Sequence, residues 1–216
     1  MNDRFTRHMQ GSCRLTATLT LSFCLLLSGC LNLEPQPDNS RYHILDHQAS
    51  KGAKIRQLIA GTPHIYISRV DLPEYLKGKK LVIRKTPTEI TLSETDRWVE
   101  PIEDSLSRVL ANHMLSQLPE QWSTAHHPER RTNSKGFEVY LRITRLEGNW
   151  EKEAVIEGYY HVHHVQSPDT LKKHSNFSFS LPWQNGETAD LPALYSDLTN
   201  KLGDKLLDAL AEVLGQ

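Results

Sequence analysis

An apolar run near the amino terminus, Leu15 to Leu27, closes in Leu27-Ser28-Gly29-Cys30 and decides which part of this 216-residue chain has to fold. Arg4, Arg7 and Arg14 precede it as a positively charged region, and the small residues Ser28 and Gly29 stand before Cys30. The run is shorter than the ~20 residues a membrane-spanning helix needs, and its layout is that of a cleavable export signal. Residues 1–29 are therefore read as a signal peptide, leaving a mature chain that starts at Cys30. All three cysteines, Cys13, Cys24 and Cys30, lie in this segment or at its end. The mature domain has no pair of thiols for a disulfide, even in an oxidising compartment. Thiol nucleophiles within the domain, cysteine-rich zinc sites and iron–sulfur clusters are excluded on the same ground.

A small-residue site ending in cysteine resembles the bacterial lipoprotein signal, whose peptidase cuts just before a cysteine carrying diacylglycerol. The resemblance implies lipidation of Cys30, with Leu27, Ser28 and Gly29 as the peptidase recognition residues. More than one acyl chain gives stable anchoring, whereas a single chain binds marginally. Leu31 follows Cys30 where an aspartate would favour retention in the inner membrane, which resembles cargo released to the outer membrane. An ordinary signal peptide and an N-terminal anchor helix stay open as alternatives. Residues 30–40 carry two prolines and read as a flexible tether. Nine linker residues, Leu31 to Asn39, span at most roughly 30 Å. Residues 41–216 are enough for one domain.

Within that domain the hydrophobic period changes in an ordered way. Arg41 to Leu45, His64 to Val70, Lys80 to Arg84 and Glu89 to Leu92 read as short strands. Pro101 to Leu118 reads as a helix: Pro101 suits the first turn, Glu103 and Asp104 face the positive end of the dipole, and Pro119 stops it. Ile102, Leu106, Val109, Leu110, His113 and Gln117 share one side. Thr124 to Gly136 is polar and reads as a loop. Three longer strands follow, Phe137 to Leu146, Glu153 to Val165 and His174 to Trp183, with a hairpin turn at Ser167-Pro168-Asp169 and a further turn at Asn185-Gly186. Pro192 to Leu214 reads as the last helix, with Leu194, Leu198, Leu202, Leu206, Leu210 and Val213 on its stripe. The order strands, helix, strands, helix predicts an α+β two-layer domain. An antiparallel or mixed sheet joined by hairpins carries two long helices on one face.

Chemistry-bearing residues are sparse. His161 and His163 point the same way along a strand, about 6.8 Å apart, and with the adjacent His164 are the candidate metal ligands; no convergent partner is visible, so no metal site and no cofactor is assigned. His126-His127 sits in a polar stretch. There is no Gly-x-Ser-x-Gly elbow and no phosphate-cradling glycine loop, so no catalytic residue is assigned and an enzyme is not expected. The formal net charge is −1. The densest basic patch is Lys77-x-Lys79-Lys80, read as a solvated turn, and nucleic acid is not an expected partner. Tyr75, Leu76 and Trp98 fall at turns beside the first helix and are the candidate partner contacts, provided they are exposed corners; the alternative is that they fold back to cap the sheet.

Ordered blocks then carry a family resemblance. Val70-Asp71-Leu72-Pro73-Glu74-Tyr75-Leu76-Lys77-Gly78, Leu81-Val82-Ile83-Arg84 and Trp98-Val99-Glu100-Pro101-Ile102 are similar to the ABC-type transport auxiliary lipoprotein family. The similarity continues through Leu106-x-x-x-Leu110-x-x-x-Met114-x-x-Gln117-Leu118-Pro119, Trp122, Arg145-Leu146-Glu147-Gly148 and Ile156-Glu157-Gly158. The charged linker Ser123 to Lys135 departs from the pattern. The resemblance implies a non-enzymatic, outer-membrane-anchored lipoprotein facing the periplasm. It implies an MCE-domain protein of an intermembrane lipid transport system as partner and a homo-oligomeric ring as assembly, and of site residues only Cys30 carries over. A periplasmic metal-binding or hydrolytic lipoprotein and a purely structural envelope lipoprotein are the alternatives.

Overall fold

The computed structural model describes residues 37–46, 64–129 and 136–214. Signal and lipobox residues, including Leu27, Ser28, Gly29 and Cys30, lie outside the described residues, as does Lys51 to Gly61. Residues Asn39–Gln216 group into one compact unit. Its strands are β1 (Arg41–His43), β2 (His64–Ile67), β3 (Lys80–Thr86), β4 (Glu89–Trp98), β5 (Ser123–His126), β6 (Gly136–Gly148), β7 (Glu153–His164) and β8 (Ser167–Pro182). The helices are α1 (Ile102–Gln117) and α2 (Leu191–Leu214).

All eight strands join one mixed sheet. The path runs β1-β4-β3-β6-β2-β5, with β7 and then β8 added on the other edge of β6. The antiparallel pairs β3/β4, β6/β7 and β7/β8 are the expected hairpins. Hairpins do not account for the whole sheet, however. β1 lies parallel to β4, and β2 lies parallel to both β5 and β6. The connection from β2 runs through the β3/β4 hairpin and α1 before β5 returns beside β2, a crossover of the kind parallel pairing requires.

Alternation of side chains divides the sheet into two faces. Ile65, Ile67, Val139, Leu141, Ile143, Ile156 and Val162 are buried and lie on one face, where α1 and α2 pack. The helix stripes are placed as the 3.6-residue period requires: Ile102, Leu106, Val109, Leu110, Leu198, Leu202, Leu206 and Leu210 are all buried. Leu194 and Val213, expected on the buried stripe of the last helix, are only partly buried at the margin of the core, as is Phe179 of β8. Pro101 is the N-cap of α1, and Leu118 is extended immediately before Pro119, as the ring of a following proline demands. At the Asn185-Gly186 turn, Gly186 has a φ of 69°, which a residue without Cβ adopts freely.

Some local expectations differ from the structure. Thr124 to His126, read as part of a loop, form β5 together with Ser123, because a parallel neighbour in β2 satisfies their backbone although most of the side chains are polar. The β7/β8 turn falls at Val165-Gln166, so β8 starts at Ser167.

Candidate functional site

The three residues expected at exposed corners occupy other surroundings. Trp98 is 4% exposed: β4 extends beyond Leu92 and pairs Trp98 with His43 of β1, which brings the indole to 6.2 Å from the Tyr195 ring. Leu76 ends a short 3-10 turn, Glu74–Leu76, and is also buried. Tyr75 is half-buried against the core; its hydroxyl donates to the Thr144 carbonyl at 2.9 Å, and burial, then the charge of Glu147, push its pKa up. Removing that much apolar surface from water outweighs leaving it exposed. Leu76 and Trp98 are therefore withdrawn from the candidate partner surface.

The outward face of β6, β7 and β8 brings the histidines together with aromatic neighbours. His161 is 6.0 Å from His163 between ring centroids, 5.8 Å from Tyr140 and 4.6 Å from His174. His174 is its cross-strand partner in β8, a neighbour that the sequence alone did not reveal. Burial first, then His174 and His163, hold the His161 pKa below the usual imidazole value. His164 turns away and meets Phe137 edge-on at 5.5 Å. Among the described residues, no group of three or more His, Cys, Asp or Glu is placed to hold a metal ion.

Two buried carboxylates organise the cations. Asp96, 1% exposed, accepts from Arg41 at 2.8 Å, Thr95 at 3.1 Å and Ser93 at 3.2 Å, and pairs with His43 at 2.8 Å. Burial alone would push its pKa up, but these hydrogen bonds together bring it down to about 2. Glu147, fully buried, pairs with Arg84 and, at 2.7 Å, with Arg145, which also reaches Glu157 at 3.0 Å. Each carboxylate closes an ion-pair network inside the fold, an arrangement that holds strands together.

One apolar group remains in solvent at the β1 edge. Tyr42, Ile44 and Val99 are 60%, 51% and 56% exposed. Their neighbours His43, Leu45 and Trp98 point inward, away from this surface.

Comparison with known proteins fits this architecture. A family model described as the ABC-type transport auxiliary lipoprotein component matches residues 45–206. The chain is 21% identical over 104 residues to the intermembrane transport lipoprotein PqiC of Escherichia coli, covering 48% of this chain and 54% of that protein. It thus spans about half the length of the curated relatives it matches. Among solved structures, an uncharacterized protein superposes with a TM-score of 0.66 at 18% identity, over 79% of this chain and 98% of that one. A Xanthomonas campestris protein gives 0.63 at 12% identity, over 81% and 96%. These two share the fold. Because the family model spans well over half of the chain, from Leu45 just after β1 into α2, the chain belongs to the ABC-type transport auxiliary lipoprotein family.

Proposed function

We propose that this protein is a non-enzymatic lipoprotein component of an MCE-type intermembrane lipid transport system, anchored in the outer membrane and facing the periplasm. The observation that carries the reading is the family match over residues 45–206 behind a chain whose Leu27-Ser28-Gly29-Cys30 has the form of a lipobox. Relatives named as intermembrane transport lipoproteins support it. In this reading the peptidase cuts after Gly29, acyl chains on Cys30 hold the domain at the inner leaflet, and the tether sets its reach. A homo-oligomeric ring that caps the MCE-protein tube is the assembly, since a tube end calls for cyclic symmetry.

Mass spectrometry of the membrane-extracted protein tests the anchor. The expected product starts at Cys30 and carries acyl mass, and Cys30→Ala abolishes anchoring. A soluble, unmodified wild-type protein overturns the lipoprotein reading. Cross-linking in cells followed by purification of the acylated chain is expected to recover the MCE-domain protein; recovery of the chain without it overturns the transport reading. An acylated chain that stays monomeric at high concentration removes the ring.

A further inference from the structure

Lys77-x-Lys79-Lys80, the densest basic segment of the chain, is brought by the fold to the exposed apolar group at the β1 edge. Lys80 opens β3 and is the register partner of Arg97 in β4, and Arg97 is the register partner of Tyr42 in β1. Register partners on neighbouring strands project to the same side of a sheet. Lys80, Arg97 and Tyr42 therefore form one row across three strands. Ile44 stands two residues beyond Tyr42 on that side. Val99 stands two beyond Arg97, where its N–H donates to the His43 carbonyl at 3.0 Å and continues the ladder. Lys79 is exposed beside the row, its carbonyl accepting from the Trp98 N–H at 2.6 Å. Lys77 is taken up by Glu74 and does not count toward the patch. The carboxylate of Asp96 is buried on the other side of β4.

We propose that this face, apolar at Tyr42, Ile44 and Val99 and basic at Lys79, Lys80 and Arg97, docks on the phospholipid surface of the membrane that holds the chain's own anchor. The proposal rests on the reading of Cys30 as the acylated residue. About 12 residues separate Cys30 from Tyr42, so the patch stays within about 40 Å of the acyl chains. A patch held that close meets the membrane at a high effective concentration and needs little affinity of its own. Tyrosine suits the boundary between headgroups and acyl chains, and lysine and arginine meet anionic lipid phosphates there. A second copy of the chain fits this face poorly. Three apolar side chains are too few for the core of a stable interface between copies, two-fold or head-to-tail as in a ring, and a two-fold contact would also set the basic rims against each other.

The mature sequence has no cysteine besides Cys30, so a single new thiol can be labelled uniquely. Nitroxides placed at Val99→Cys and, as a distant control in β8, at Leu171→Cys report depth in the acylated protein on phosphatidylcholine vesicles with and without phosphatidylglycerol. The expected result is a nitroxide at position 99 several-fold more accessible to oxygen than to a water-soluble nickel chelate. The effect should be stronger with phosphatidylglycerol and weakened by Lys79→Gln with Lys80→Gln, while position 171 stays water-like. Equal, water-like accessibility at both positions overturns the docking face, and an unchanged phosphatidylglycerol effect in the lysine variant overturns its basic part. Acyl mass on the same sample separates the two readings. If it is missing, the anchor reading fails, and the labelled chain in a Cys30→Ser background, mixed with the same vesicles, still decides the face by the same criterion.

Discussion

A Cβ atom built on Gly203 would stand 2.5 Å from Cδ2 of His113, so the imidazole on α1 fills the room that any side chain on α2 would need at that position. His113 is 3% exposed and its Nε2 lies 3.1 Å from Asp204, which leaves the ring little freedom to withdraw. Gly203→Ala gains about 1 kcal/mol of helix propensity. Overpacking a filled contact costs about 1–3 kcal/mol. A net loss of up to about 2 kcal/mol is expected in urea unfolding. Combining Gly203→Ala with His113→Ala should cost less than the two single losses summed, because the residues share one space.

Asp96 should shape the acid limb of stability. Its folded pKa of about 2 lies below the unfolded value of about 3.9. The stabilisation is therefore fully present above the unfolded pKa and is lost as pH falls through the folded one. It amounts to about 2–3 kcal/mol near neutrality. Asp96→Asn should lower stability at neutral pH and flatten its fall between about pH 4 and pH 2. Unfolding curves across that range check it.

Glu147 is the buried partner of two arginines, and Glu157 is the half-exposed partner of one. Removing the buried carboxylate leaves Arg84 without its carboxylate partner and Arg145 with Glu157 alone, at a cost of about 3–5 kcal/mol. Glu157→Gln removes a pair open to solvent and should cost about 1 kcal/mol or less. Comparing the two variants by denaturant midpoint tests the ranking.

Truncating either of two core residues should cost comparable amounts. Leu110→Ala removes a fully buried side chain from α1, and about 2–5 kcal/mol is expected. Trp98→Ala should cost about 3–5 kcal/mol. A substitution at Trp98 consequently reports on folding before it reports on any partner, whereas Tyr42→Ser should change stability by less than about half a kcal/mol.

The helix stripes were legible because Leu106, Val109 and Leu110 repeat at the period of a helix, and so do Leu198, Leu202 and Leu206. Long strands were legible for the same reason at period two, as in Val139, Leu141 and Ile143. Pairing direction was not, since an alternating segment such as His64–Ile67 reads the same beside a parallel or an antiparallel neighbour. β5 escaped because Ser123 and Thr124 owe their conformation to β2 rather than to their own side chains. Trp98 looked like a corner because β4 seemed to end at Leu92, and it is the pairing with β1, more than fifty residues earlier, and with Lys80 of β3 that shows the strand continuing. The histidine–tyrosine grouping was half legible: His161 and His163 share a side by alternation, but His174 depends on where the hairpin turns. The surface that joins Tyr42, Arg97 and Lys80 requires the order of three strands, which no local pattern carries.

β6 is the strand on which the sheet is assembled, with β2 and the start of the β3/β4 hairpin along one edge and β7 along the other. The contact between Ser68 and Glu138 joins positions 70 residues apart. A chain threaded through an export channel amino end first delivers β2, β3 and β4 long before the strand they lean on. Until β6 has emerged, the leading half can form the β3/β4 hairpin, α1 and the β1/β4 and β2/β5 pairs, but β2 and β3 have no strand between them to join these pieces into one sheet. In the proposed reading of residues 1–29 as an export signal, completion of the sheet is deferred to the far side of the membrane, where β6 supplies both edges at once.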